Sequence, residues 1–133
     1  ELDLAPFRAL RNTPIGMTGH LLFTAWDADN PATLSATVIR DVIRGAIGFD
    51  GLLLTDDIDM EALAGTVPER AERAIAAGCD LVLNCWARMD DMAEIVRRLP
   101  PLGEAGAVRL ERALAETSIA VEGADRKAEL LVK

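Results

Sequence analysis

Positive charge is scarce in this chain: 14 lysines and arginines stand against 22 aspartates and glutamates in 133 residues, a net charge of −8 with a pI near 4.6. Nucleic acid and anionic lipid surfaces need a basic face, so neither is expected as the main partner. Long apolar runs are missing as well. None approaches the roughly 18 residues of a membrane span, and no basic-then-apolar leader opens the sequence, which reads as a cytoplasmic protein. Cysteine is limited to Cys79 and Cys85, at either end of the apolar segment "DLVLN". If that segment is a strand, their α-carbons stand about 20 Å apart at roughly 3.3 Å per residue, too far for a disulfide. Two free thiols suit a reducing compartment. Histidine occurs once, as His20.

Apolar residues make up 50% of the chain, enough for one domain with a sizeable core. Val38, Ile39, Val42, Ile43, Ala46 and Ile47 recur at helical spacing, with Ser35 placed to cap and Gly48 to stop a helix over 35–47. Thr66 and Glu69 have the spacing of a capping box, with Pro68 in the first turn and Gly78 as terminator. Further helices are expected over 90–99, ahead of Pro100 and Pro101, and within 104–118. An amphipathic one is expected in "ELDLAPFRAL", with Leu4, Phe7 and Leu10 on one side.

Three apolar runs alternate with these helices, near 15–20, 51–55 and 80–85, and read as strands buried on both faces. Gly48, Asp50, Leu52 and Leu53 recur thirty residues later as Gly78, Asp80, Val82 and Leu83. A helix-stop glycine, an aspartate and a buried strand, twice at one period, predict tandem βα units with parallel neighbouring strands. In such sheets the chemistry lies at the carboxyl ends of the strands. Those ends carry His20, then Asp56 and Asp57, then Asn84 and Cys85. Asp50 and Asp80 precede their strands and read as structural turn residues.

Clustered carboxylates on that rim fit three readings. One is glycoside hydrolysis, with an ionised aspartate attacking the anomeric carbon. Another is metal-dependent phosphoryl transfer, with Asp57 and Asp59 as an Asp-x-Asp pair, although Met60 and Glu61 follow where Gly-Thr is usual. The last is a solvated acidic loop in which Asp59 and Glu61 open the next helix, in a non-catalytic open α/β module that binds a ligand or partner. Asp56 lies nearer the strand and should be better fixed than Asp57, which is expected to begin a mobile loop.

"GFDGLLLTDDIDMEAL" resembles the nucleophile segment of glycoside hydrolase family 3. "MTGH" with "DADNPATLS", and "AERAIAAGCDLVLNC", resemble the strands and loops on either side of it, in the bacterial β-N-acetylglucosaminidase branch that trims recycled cell-wall fragments. The resemblance runs from about residue 3 to residue 99. It implies that the chain is α/β: the last three βα units of a (β/α)8 TIM barrel over about 1–100, followed by a C-terminal helical segment over about 101–133. It makes Asp56 the catalytic nucleophile of a retaining, exo-acting enzyme, Asp57 its hydrogen-bonded neighbour, Met60 a residue facing the sugar subsite with a small helix after it, and His20 a rim histidine near the sugar. The implied partner is a saccharide or muropeptide containing N-acetylglucosamine, with no metal or cofactor. Gly19 stands where Ala is usual, and Trp86 where a polar residue is usual. A whole barrel needs about 250 residues. The family's upstream sugar-binding motifs and the histidine that serves as its acid/base do not occur in this sequence. The implied chain is therefore the C-terminal part of a barrel whose N-terminal half is a separate segment or chain, and it is expected to be inactive alone.

Overall fold

A computed structural model describes residues 2–116. A 3-10 turn at Leu2–Leu4 leads into the short helix α1, Ala5–Ala9, and then β1, Ile15–Met17. After a loop and a 3-10 turn at Ala32–Leu34 comes a helix with π winding over Val38–Ile47. It is followed by β2, Leu52–Asp57, α2, Val67–Ala77, β3, Leu81–Leu83, and α3, Met89–Arg98. Residues 104–116 form α4; the remainder of the expected C-terminal helical segment lies outside the described residues.

The three strands form one parallel sheet in the order β1-β2-β3, as the thirty-residue repeat predicts. Each is shorter or longer than its apolar run suggests. β1 ends at Met17, because Thr18 turns its hydroxyl to Thr33 and the chain leaves the sheet. β2 runs on to Asp57, so Asp56 and Asp57 belong to the strand and not to a loop.

The two helix-stop glycines do what the sequence assigns them: Gly48 and Gly78 sit at φ +78° and +116°, where an L side chain is strained. Ser35 caps its helix, accepting the Val38 N–H at 3.1 Å, and Glu69 accepts the Thr66 N–H at 2.8 Å in the expected capping box. The 35–47 helix is π-wound and not α-helical; its apolar residues repeat every fourth position, a spacing that fits the wider winding as readily as the α one. Of Leu4, Phe7 and Leu10, Leu4 packs inward, against the cluster of Ala32, Val38 and Val42, while Phe7 and Leu10 are exposed. The amphipathic helix expected there is cut to five residues.

The main core lies between the sheet and its helices. Leu53 of β2 belongs to one buried cluster with Ile39, Phe49, Ile58, Leu63, Ala71, Ala74, Cys79 and Ile95. Below the sheet the Phe49 ring fills the space where side chains at Gly16 and Gly51 would stand, and the Arg44 guanidinium lies 5.4 Å from the ring centroid. Arg44 donates to the carbonyls of Phe49 and Gly51 and to Asp80 at 2.9 Å. Asp80 also accepts the Leu53 N–H and an ion pair from Arg109 of α4, which reaches Asp50 as well. The two strand-leading aspartates are therefore structural, and they fasten α4 to the amino end of the sheet. That leaves the opposite end for chemistry.

Candidate active site

At the carboxyl end of β2 the ladder to β3 is irregular. Leu54 pairs with Leu81, but Asp57 pairs with Leu83, so β2 carries one extra residue over that interval. Within it the Thr55 hydroxyl accepts the Leu83 N–H at 2.9 Å in place of a main-chain carbonyl. The bulge gives the three acids at this end different hydrogen-bond partners.

Asp57 Oδ1 accepts the N–H groups of Asp59 and Cys85, both at 3.1 Å. Burial pushes its carboxyl upward, but the two main-chain donors outweigh that and hold it below its ordinary 3.8. Asp59 is buried, and its Oδ2 accepts Asn84 Nδ2 at 2.7 Å and the Trp86 N–H at 2.9 Å. Both acids thus bind the turn after β2 to the loop after β3. Asp56 is half-buried and accepts, among the described residues, one hydrogen bond: its own neighbour's N–H, from Asp57 to Oδ1 at 2.8 Å. That bond fixes the carboxylate's orientation and leaves Oδ2 without a protein donor.

His20 stands at the same end of the sheet. Its Nε2 is 2.8 Å from the Asp57 carbonyl oxygen, which can only accept, so Nε2 carries the proton. In the neutral ring Nδ1 then accepts from the Thr33 hydroxyl at 2.8 Å, and Thr33 in turn accepts from Thr18 at 2.8 Å. Thr33 is fully buried. The loop that holds it is folded around Asp27, whose carboxylate accepts from the Asp29 and Asn30 N–H groups and the Ser35 hydroxyl; these bonds, Ser35 foremost, lower its pKa. Arg73 of α2 ties Asn30 down at 3.2 Å.

Met60 is exposed on the turn after β2, with its N–H donating to Asp57 O and its carbonyl accepting from Arg70. The two thiols are free, Cys79 buried and Cys85 exposed. Burial pushes Cys79 up to about 12, and Cys85 is raised by desolvation and then by the charge of Asp57, Asp59 and Asp56. Neither is tuned to be a nucleophile.

The structure gathers His20, Asp56, Asp57, Met60 and Asn84 on one rim. It corrects two expectations. Asp57 is not a mobile loop residue, because two main-chain donors on different segments clamp it. Residues 58–63 form turns and not a helix, because Asp59 folds back to Asn84 and Trp86 instead of capping a helical turn. The Thr18–Thr33 hydroxyl pair was not foreseen: threonines in a strand end and a loop show no period, and only the lone histidine nearby hints that they have a partner. Among the described residues no group of three or more His, Cys, Asp or Glu is disposed to hold a metal ion, and no helix is long and apolar enough to cross a membrane.

Known proteins resemble this chain in sequence and fold. The chain is 42% identical over 114 residues to a beta-hexosaminidase from Chromobacterium violaceum, covering 83% of this chain and 32% of that protein. It is 43% identical over 98 residues to one from Tolumonas auensis, covering 68% and 28%. The chain thus spans about a third of the length of these relatives. Among solved structures, a glycoside hydrolase family 3 beta-N-acetylglucosaminidase from a Paenibacillus species superposes with a TM-score of 0.68 at 36% identity, over 85% of this chain and 23% of that one. The parallel strands, the acid-bearing end of β2 and these likenesses fall within residues 1–115, which match the Glycosyl hydrolase family 3 N terminal domain, and the chain belongs to that family.

Proposed function

We propose that the full-length protein is a retaining, exo-acting glycosidase that removes terminal β-linked N-acetylglucosamine, with Asp56 as its nucleophile. One observation carries the choice of residue: Asp57 and Asp59 are taken up by donors from the loop after β3, whereas Asp56 receives only its neighbour's N–H and keeps an oxygen open. The names of the relatives, beta-hexosaminidase and beta-N-acetylglucosaminidase, support the substrate class.

In this reading Asp56 attacks the anomeric carbon as the bond to the leaving oxygen breaks, giving a glycosyl-enzyme that water then hydrolyses with the configuration retained. Its negative charge also stabilises the oxocarbenium-like transition state. The leaving oxygen must take up a proton from a second group roughly 5 Å from the nucleophile. His20 is not that group, because both ring nitrogens are held by Thr33 and Asp57 O. In this reading the proton donor is the family's acid/base histidine, which the resemblance places in a part of the full-length protein outside this chain. Asp57 holds the end of β2 in place for Asp56, and Met60 lies at the edge of the sugar site. The natural substrates are the N-acetylglucosamine-terminated fragments of peptidoglycan, met in the cytoplasm.

The test is trapping with a fluorinated N-acetylglucosaminyl donor that forms a slow-turnover glycosyl-enzyme, followed by peptide mapping. The label is expected on Asp56, and Asp56→Ala should lose turnover by roughly 10⁴-fold or more. Labelling of Asp57 or Asp59 would overturn the assignment.

A further inference from the structure

Trp86 is 64% exposed although it is one of only two tryptophans, and it stands three residues beyond the end of β3 on the rim that bears Asp56. Its backbone is held by two consecutive N–H groups. The Cys85 N–H is bound by Asp57 at 3.1 Å, and the Trp86 N–H by Asp59 at 2.9 Å. The next residue, Ala87, has φ +50°, the one non-glycine positive φ among the described residues. An alanine in that conformation is strained and persists only where surrounding contacts over-determine it. Two buried or clamped carboxylates, a strained peptide and an indole left in solvent amount to a rigid mount for an aromatic face.

We propose that Trp86 is the stacking platform for the leaving-group sugar. This rests on the glycosidase reading above and adds to it a subsite for the ring on the far side of the bond that Asp56 attacks. Height above the sheet decides which ring it meets. Asp56 lies inside β2, level with the end of β3, and must touch the anomeric carbon of the sugar seated deepest. The Trp86 backbone, bonded to Asp59 two residues beyond the end of β2, stands above that level, on the side from which the next ring of the substrate leaves. A pyranose presents one face of C–H groups, and a fixed indole offers a large apolar surface to it without losing much conformational freedom on binding. The carboxylates that hold the mount are the same two that Asp56 leaves out, so the nucleophile and the platform share one support.

The experiment compares two substrates of the full-length protein: a β-linked disaccharide of N-acetylglucosamine, and N-acetylglucosaminyl fluoride, which has no leaving sugar. Trp86→Ala is expected to lower the ratio of kcat/KM for disaccharide over fluoride by about tenfold, mainly through KM, and Trp86→Phe to restore most of it. An unchanged ratio would overturn the proposal. A uniform loss on both substrates, together with a lower unfolding temperature, would also overturn it and assign Trp86 to packing. Calorimetry on Asp56→Ala protein keeps the two readings apart, since it needs no turnover: the disaccharide should bind about tenfold more weakly once Trp86→Ala is added, and the monosaccharide should be affected far less. If the unmutated protein cleaves neither substrate, the glycosidase reading fails, and equal binding of the disaccharide with and without Trp86 then removes the subsite too.

Discussion

His20 Nε2 donates to the Asp57 carbonyl oxygen at 2.8 Å, so the chain's single imidazole braces the last peptide of β2 against the loop that carries Thr33. Replacing it should therefore harm the scaffold and the rate together. His20→Ala removes one partner from the Thr33 hydroxyl, which keeps Thr18, and one from the Asp57 carbonyl, which keeps the Met60 N–H, at a cost of about 1 kcal/mol. Urea denaturation should show that loss. Turnover should fall while the pH at which activity peaks stays in place, because the ring does not exchange protons with substrate; a displaced peak would mean that it does.

Asp57 should make acid stability steeper. Its carboxyl is held below 3.8 in the folded chain and returns to about 3.8 on unfolding. The stability it contributes is present above that value and is lost as pH falls through the lower, folded value, because the unfolded state then binds the proton first. Unfolding free energies measured from pH 6 down to pH 2 should decline more steeply for the native sequence than for Asp57→Asn. Parallel declines would show that the two N–H donors do not favour the charged form.

The thiols should respond to alkylation in a fixed order. Cys79, buried and pushed up to about 12, is expected to remain unmodified in the folded protein at pH 8. Cys85 is exposed and should react, but slowly, because neighbouring carboxylates oppose the thiolate. Asp57→Asn should accelerate it. Peptide mapping after timed iodoacetamide treatment reads both sites, and a Cys79 adduct without unfolding would contradict the burial.

Gly78→Ala should destabilise more than an ordinary surface change. The residue sits at φ +116°, and an added Cβ would stand 3.0 Å from Ile39 Cγ2, which belongs to the core. Strain and crowding together should cost about 2 kcal/mol. Gly103→Ala, with nothing within 4 Å of its Cβ position, is the control and should change stability little.

The sheet order was legible because two signals agreed: the Gly48/Gly78 and Asp50/Asp80 repeat gave the period, and continuous apolar runs gave parallel strands. Strand ends were less legible, since they depend on side-chain hydrogen bonds such as Thr18 to Thr33 and Leu83 N–H to Thr55 that leave no pattern in hydrophobicity. The rim was readable as a set of residue types, and the family resemblance proposed a division of labour within it, but the hydrogen bonds that separate its acids were not readable. Asp56, Asp57 and Asp59 differ in burial and in which N–H groups reach them, and the donors that set Asp57 and Asp59 apart include Asn84, Cys85 and Trp86, 25 to 28 positions away. The π winding over Val38–Ile47 escaped for a different reason: a four-residue repeat has no preference between the two helical pitches.

The extra residue in β2 is in effect a parity switch. In an uninterrupted ladder that began with Leu54 opposite Leu81, the position opposite Leu83 would be 56; with the bulge it is 57. Asp56 would then stand where Cys85 and the turn after β2 could capture it, and Asp57 would be the carboxylate left over. Which of two chemically identical neighbours keeps an oxygen free of protein donors is thus settled by counting along the strand, odd against even, before any difference in acidity enters.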